Sequence, residues 1–140
     1  MNKRAFRLDK AQRELLRGYL AKAQAKLRVA RDLYAKGDWD DAVSRAYYAA
    51  FHAAQATLLT EGQQADSHKG VVIMFGLLLV KTGKFDRKWG KFLANLKDDR
   101  EAGDYDALSY LDQETAGRAV REAEAFVAAV ETYVKSLAGQ

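Results

Sequence analysis

The sequence contains no cysteine and no proline, and it has only two histidines. The absence of cysteine excludes disulfide bonds and zinc–thiolate sites and is typical of a reducing compartment. The longest apolar run, residues 71–80, is about half as long as a membrane-spanning helix. Residues 1–7 lack the apolar core of a secretory signal. We therefore expect a soluble cytoplasmic protein that has no metal, no cofactor and no membrane association.

Basic and acidic residues are distributed unevenly along the 140 residues of the chain. Residues 1–36 carry eleven lysines and arginines against three acidic side chains, whereas residues 37–140 have a net charge of −4. A basic first segment is typical of a surface that faces nucleic acid or an acidic partner. The alternative is the solvated outer face of a long helix. This alternative is favoured because no exposed aromatic residues are interleaved with the basic ones.

Glycine, often with aspartate or serine nearby, divides the chain into helical stretches. The pattern predicts five helices, at about residues 9–36, 38–61, 68–81, 87–101 and 112–137. We expect Asp38, Ser67 and Asp112 to cap three of them, with Asp41 completing a capping box for the second. Residues 102–111 are predicted to be irregular.

No stretch shows the alternation of apolar and polar residues that a strand requires. Five helices with short links predict an all-α fold, an up-and-down bundle that forms one domain over residues 1–140. The second helix is rich in alanine, which permits close approach by its neighbours, so we expect it to be central. The third is apolar nearly all round, and such a helix is predicted to be buried on most sides.

The second helix also carries polar residues at a helical spacing. Arg45 and His52 are seven positions apart, close to two full turns, so their side chains are expected on one face about 10 Å apart along the axis. Tyr48 lies between them on the same stripe. Packing alone would not select an arginine, a tyrosine and a histidine on an alanine-rich helix. We therefore look for the function of the protein on this stripe.

Two interpretations remain open for each charged or titratable residue of the stripe. Arg45 contacts phosphate, or it forms an internal salt bridge to Asp41 or Asp104. His52 serves the function, or it is a core histidine bonded to a backbone carbonyl or to Tyr48. The spacing of the residues does not by itself decide between these alternatives.

Further polar residues lie outside the stripe. His68 begins the third helix, where a local structural hydrogen bond or anion binding by free backbone N–H groups is expected. Arg100, Asp104 and Tyr105 form a polar latch onto the second helix, or they line the same cleft as the stripe. Tyr47 is expected to serve core and dimer packing, as is its neighbour on the stripe, with its hydroxyl satisfied.

Residues 44–54 resemble the signature of the HEPN domain family (higher eukaryotes and prokaryotes nucleotide-binding). The likeness is to its small prokaryotic branch with an "AYYAxFH" core. Residues 67–71, 80–83 and 100–106 also match that branch, in the same order. The likeness spans about residues 15–135.

The resemblance implies a HEPN-like five-helix bundle that pairs as a homodimer. Many active members are metal-independent ribonucleases whose arginine and histidine, four to six residues apart in the family pattern, meet across the dimer interface. Arg45 and His52, with six residues between them, match that pattern and are our candidate catalytic residues. Genes of this branch often lie beside a minimal nucleotidyltransferase gene in modules of the toxin–antitoxin type. The expected partners are therefore a second copy, a nucleotidyltransferase, and RNA or a nucleotide.

The residue types suit this chemistry. Metal-free RNA cleavage needs a base for the ribose 2′-OH, which a histidine supplies, and a cation for the phosphorane, which an arginine supplies. One histidine cannot easily act as both base and acid, so a twofold dimer would supply the second copy. The predicted nucleotide- or RNA-binding set comprises Arg45, Tyr48, His52, His68 and Arg100.

The sequence departs from the family pattern at two positions. Ala46 follows the arginine, where active members tend to have a polar residue. Ala54 stands two residues after the histidine, where members silenced by nucleotidylation have a tyrosine. A non-catalytic subunit that binds a nucleotide, RNA or a partner protein is therefore the alternative function, and a structural dimer is the third.

Overall fold

The structure is a computed structural model that describes residues 8–108 and 111–138. These residues form five helices and no strand, which confirms the predicted all-α class. The helices are α1 (Lys10–Ala35), α2 (Trp39–Leu59), α3 (His68–Phe75), α4 (Arg87–Tyr105) and α5 (Gln113–Ala138), and a π-helical turn over Gly76–Val80 continues α3. Within the described part of the chain, no helix is long and apolar enough to cross a membrane.

Short side chains cap the helices at most of the predicted positions. Ser67 and Asp112 each accept a hydrogen bond from the backbone N–H three residues further on, at 2.9 and 2.8 Å. Asp38 precedes α2 as predicted, but its side chain makes no capping hydrogen bond, so the capping box with Asp41 is not formed. The reason is the backbone of Asp38, whose ψ of 73° departs from the extended conformation that directs a capping side chain over the first turn.

The predicted end of the fourth helix is wrong by about one turn. We expected an irregular segment from residue 102, whereas α4 continues to Tyr105. The extra turn carries the i,i+4 pair of Arg100 and Asp104, with 3.2 Å between Nη1 and Oδ2. Gly103 does not stop the helix. It lets Leu111 approach closely, since a Cβ built on Gly103 would lie 3.2 Å from the Leu111 side chain.

The central position of α2 follows from its alanines. Fifteen of its 21 residues are buried, and α2 contacts each of the other four helices. Its alanines have no exposed surface, which allows the neighbouring helices to pack close to its backbone: Ala42, Ala46, Ala49, Ala50, Ala53, Ala54 and Ala56. The prediction that the alanine-rich helix is central is therefore confirmed.

The prediction for the third helix is wrong in the single chain. Val71, Phe75 and Leu79 are buried, but Ile73 and Leu77 are 49% and 54% exposed. This segment lies at the side of the bundle and buries one stripe against α2 and α4. Its apolar residues therefore exceed what one chain can cover, and an apolar surface remains.

Candidate functional site

The predicted stripe is the part of α2 that remains accessible to solvent. After Asp41, only Arg45, Tyr48 and His52 escape burial, and every other residue from Ala42 to Leu59 is buried. We call these three residues the open stripe. Their shared exposure places them on one helix face, as the spacing predicted. The open stripe therefore reaches the surface, with Tyr48 half-buried against the core.

The structure contains neither of the internal salt bridges considered for Arg45. Within the described part of the chain, Arg45 forms no ion pair with Asp41, Asp104 or any other carboxylate. Asp104 instead accepts hydrogen bonds from Arg100 at 3.2 Å and from Ser44 at 3.5 Å. The guanidinium of Arg45 is thus left with its donors available for an anion.

His52 is oriented by a glutamine one turn further along α2. Its Nδ1 lies 3.0 Å from Oε1 of Gln55, and Nε2 of Gln55 donates to the backbone carbonyl of Ala65 at 3.2 Å. The glutamine nitrogen is thereby used, so its oxygen accepts and His52 Nδ1 must carry the proton. This assigns a lone pair to Nε2 of His52, the form that a general base requires. The alternatives of a backbone carbonyl or Tyr48 as its hydrogen-bond partner are wrong.

The first helix supplies the other side of the His52 environment. The ring of Tyr19 stacks on His52 with centroids 6.3 Å apart and an interplanar angle of 17°. Burial lowers the pKa of His52, the Gln55 hydrogen bond opposes this change, and the charges of Lys22 and Lys26 lower the pKa further. His52 is therefore neutral near pH 7 and competent to accept a proton.

The lysines and arginines of α1 are exposed except for the half-buried Lys26, in agreement with the solvated outer face favoured from the sequence. One aromatic residue of the same helix, Tyr19, nevertheless stacks on His52. Tyr19, Lys22 and Lys26 recur at intervals of three and four residues, which places them on one side of α1. That interval was the available sequence signal. Gln55, at His52 plus three, is the other residue of this environment that the sequence analysis did not select.

His68 is tied to α2 and not to its own helix end. Its Nδ1 lies 2.7 Å from the hydroxyl of the fully buried Tyr47. This partner is 21 positions away, so the prediction of a local hydrogen bond is wrong. Its ring packs against Phe51, with centroids 4.7 Å apart. Burial lowers the pKa of His68, and the charges of Arg100 and Lys97 lower it further. The residue is therefore a neutral imidazole near two cations.

Arg100 forms the polar latch onto α2 that the sequence left as one of two alternatives. Its guanidinium lies over the rings of Tyr47, Tyr48 and Tyr105 at 5.2, 5.6 and 5.7 Å, distances typical of cation–π contacts. The side chain also donates to Asp104. The residue is only 6% exposed, and its Nε has no hydrogen-bond partner among the described residues.

Tyr48 lies close to both histidines and to Arg100. Its ring centroid lies 6.4 Å from that of His52 and 5.7 Å from that of His68, and the Arg100 guanidinium is close to its face. The structure thus brings Tyr48, His52, His68 and Arg100 into one cluster. Arg45 lies one turn before Tyr48 on the open stripe and makes no side-chain hydrogen bond within the described residues. Those residues also contain no group of three or more His, Cys, Asp or Glu arranged to hold a metal ion.

Comparison with known proteins agrees with the all-α fold and the signature on α2. The model of the HEPN domain matches residues 16–133, so this chain belongs to the HEPN domain family. It is 34% identical to "Putative toxin MJ0605" of Methanocaldococcus jannaschii over 93% of this chain and 96% of that one. It is 38% identical to a "UPF0332 protein" of Thermotoga maritima over 69% of this chain and 73% of that one.

The fold is also similar to a solved structure. The crystal structure of TT1696 from Thermus thermophilus matches with a TM-score of 0.72, covering 84% of this chain and 97% of that chain. The sequence identity is 22%, so this likeness concerns the fold alone. The family resemblance inferred from residues 44–54 is confirmed.

Proposed function

We propose that this protein is the toxin-type HEPN component of a two-gene module and acts as a metal-independent endoribonuclease through Arg45 and His52. One observation carries the proposal. After its first turn, α2 is buried along its whole length except at an arginine, a tyrosine and a histidine. A packing role would have favoured apolar side chains there. The name "Putative toxin" of a relative that matches nearly the whole chain supports the toxin assignment.

The proposed reaction is transesterification within RNA. Nε2 of His52 takes the proton of a ribose 2′-OH, and the 2′-oxygen forms a bond to phosphorus. The bond from phosphorus to the 5′-oxygen breaks, which leaves a 2′,3′-cyclic phosphate and a 5′-hydroxyl. The departing oxygen receives its proton from water, since His52 of a second copy would also be neutral. Arg45 holds the negative charge that develops on the non-bridging oxygens.

The apolar surface of α3 supports the homodimer within this proposal. Ile73 and Leu77 are about half exposed and lie one turn apart, and a second copy would cover them as part of an interface of at least about 1,000 Å². Leu77→Glu is expected to convert a dimer into a monomer in sedimentation velocity at micromolar concentration. Val29→Glu changes a similarly exposed apolar residue on α1 and serves as the control. A parent chain that is monomeric under these conditions contradicts the dimer.

A second function is favoured by one observation. Ala46 has no exposed surface, so the position after Arg45 offers no polar group to a substrate. A non-catalytic subunit that binds RNA or a nucleotide, or that docks on a nucleotidyltransferase, agrees with this feature. It would use Arg45 together with the cluster of Tyr48, His52, His68 and Arg100, without cleavage.

An RNA cleavage assay in the presence of EDTA tests the proposal. The parent chain is expected to cleave, and Arg45→Ala and His52→Ala are expected to lose cleavage. Arg87→Ala, at the exposed start of α4, is the control for loss of a positive charge. Binding that requires Arg45, in a parent that does not cleave, would establish the second function. Neither cleavage nor binding by the parent would contradict both.

A further inference from the structure

We infer that His68 is the second histidine of the site within one chain, fixed by Tyr47 as a hydrogen-bond donor to the RNA phosphate. The inference rests on the proposed function and deepens it. It assigns different roles to the two histidines: Nε2 of His52 accepts a proton, whereas Nε2–H of His68 donates a hydrogen bond. Tyr47 is the positioning residue that makes His68 a donor.

The assignment for His68 follows from the hydrogen bonds of a buried hydroxyl. Among the described residues, His68 is the hydrogen-bond partner of the Tyr47 hydroxyl, at 2.7 Å from Nδ1. If Nδ1 carried a proton, the hydroxyl proton of the fully buried Tyr47 would have no acceptor, which is costly. Tyr47 therefore donates and Nδ1 accepts. In the neutral imidazole, the remaining proton must then be on Nε2.

The titration of the two groups agrees with this geometry. Burial raises the pKa of the Tyr47 hydroxyl well above its ordinary value, so Tyr47 stays protonated and remains a donor. The pKa of His68 is lowered, chiefly by burial, so the imidazole stays neutral. Tyr47 and His68 are thus locked in one arrangement across the physiological pH range.

The two histidines contact the same aromatic rings. Phe51 has its centroid 5.6 Å from that of His52 and 4.7 Å from that of His68. Tyr48 lies within similar distances of both imidazoles. His52 has its lone pair on Nε2, because the hydrogen bond to Gln55 keeps the proton on Nδ1. Two half-buried imidazoles with opposite proton positions are therefore linked through the same aromatic rings.

The charges around His68 favour a phosphate at its Nε2–H. Arg100 and Lys97 are the cations that act on the imidazole, and both would also attract a phosphodiester. Glu101, the acidic group that also acts on the imidazole, is paired with Lys97 at 2.6 Å, so one positive charge remains among these three groups. A neutral imidazole is a weak acid, so His68 stabilises charge on a non-bridging oxygen and does not protonate the leaving group.

The proton positions can be measured without any activity. Nitrogen NMR of histidine-labelled protein at about pH 7.5 distinguishes Nδ1–H from Nε2–H in each imidazole. We expect Nδ1–H in His52 and Nε2–H in His68, and Tyr47→Phe should change only His68, to a mixture of both forms. Nδ1–H in His68 of the parent chain would overturn the inference.

Amide replacements test the donor role. The side-chain amide of glutamine reaches the position of Nε2–H, whereas that of asparagine lies nearer Nδ1. His68→Gln is expected to keep most of the affinity for a short single-stranded RNA and most of the cleavage, whereas His68→Asn loses about tenfold or more of each. Thermal melts of both variants verify that the bundle is intact.

The outcomes separate this inference from the proposed function. A parent that binds and cleaves RNA, together with an equally active His68→Asn, overturns only the role of His68. A parent that neither binds nor cleaves RNA overturns the proposed function and the donor role together. Selective loss in His68→Asn and Tyr47→Phe, with His68→Gln retained, supports the inference.

Discussion

The guanidinium of Arg100 lies 5.2 Å from the ring of Tyr47 and connects the end of α4 to the middle of α2. This cation is almost fully buried, yet a single carboxylate, Asp104, pairs with it at 3.2 Å. The tyrosine rings supply part of the missing stabilisation through their negative faces. Tyr47 in turn donates its hydroxyl proton to His68. One residue therefore serves both the latch and the orientation of an imidazole.

Arg100→Ala should lower the free energy of unfolding by about 3 kcal/mol, because it empties a buried space and removes the contacts of the guanidinium with three tyrosine rings. Arg100→Met should cost less, since an apolar side chain of similar length refills the space and needs no solvation. Urea denaturation of the two variants and the parent measures both values. An Arg100→Ala variant as stable as the parent would contradict the latch and favour a ligand-binding role for Arg100.

Arg45→Ala should unfold within about 0.5 kcal/mol of the parent, because Arg45 makes no ion pair among the described residues. His52→Ala should cost about 1 kcal/mol through the lost hydrogen bond to Gln55. Thermal melts give both values, with Arg100→Ala as the destabilised reference. A large drop in melting temperature for Arg45→Ala, in a parent without ligand or cleavage, would show that the open stripe serves packing.

Tyr19→Ala should weaken binding of single-stranded RNA by at least about fivefold, since stacking of a base on an aromatic side chain contributes about 1–3 kcal/mol. Tyr19→Phe keeps the ring and is the matched control. Lys22→Ala should weaken binding to all RNA sequences alike and reduce the slope of log K against log salt by about one. These values are measured by fluorescence anisotropy over a salt series. Unchanged affinity in both Tyr19→Ala and Lys22→Ala would remove α1 from the interface.

The stability of the protein should decline in mild acid because of its two histidines. Burial lowers the pKa of His52 and of His68 in the folded chain below the ordinary value of about 6.5. Between those lowered values and pH 6.5, the unfolded chain binds more protons, so the free energy of unfolding falls as the pH falls. Above about pH 6.5 this contribution is fully retained.

Urea denaturation from about pH 8 to about pH 5 measures the effect, and a His52→Gln/His68→Gln double variant should show a flatter dependence. Equal slopes in the parent and the double variant would contradict it. The rate of cleavage should also fall in mild acid, because protonated His52 cannot accept the 2′-OH proton. The rate should be constant above about pH 6.5 and fall at lower pH.

Local signals in the sequence predicted the features that depend on one helix. Ser67 and Asp112 cap helices as expected, because a cap needs only the residues of the first turn. The shared face of Arg45 and His52 follows from helical geometry alone. The end of α4 was missed because Gly103, which often stops a helix, here accommodates a neighbouring segment.

Contacts between helices could not be predicted from such signals. The pair of Tyr47 and His68 joins residues 21 positions apart, and the stack of Tyr19 on His52 joins two helices whose relative rotation the sequence does not reveal. The exposure of Ile73 was missed for a related reason. An apolar pattern specifies which residues avoid water, but not whether the same chain or a second one covers them.

The alanines of α2 have a consequence for how this protein can change over evolutionary time. At each of them a larger side chain would force a neighbouring helix away from the backbone of α2. The three positions of the open stripe are only partly buried, so a change of side chain there displaces less of the surrounding bundle. Substitutions can therefore exchange one chemistry for another on α2 while the bundle around it keeps its shape. A single helix thus carries both the positions that fix the packing of the bundle and the positions that can change its chemistry.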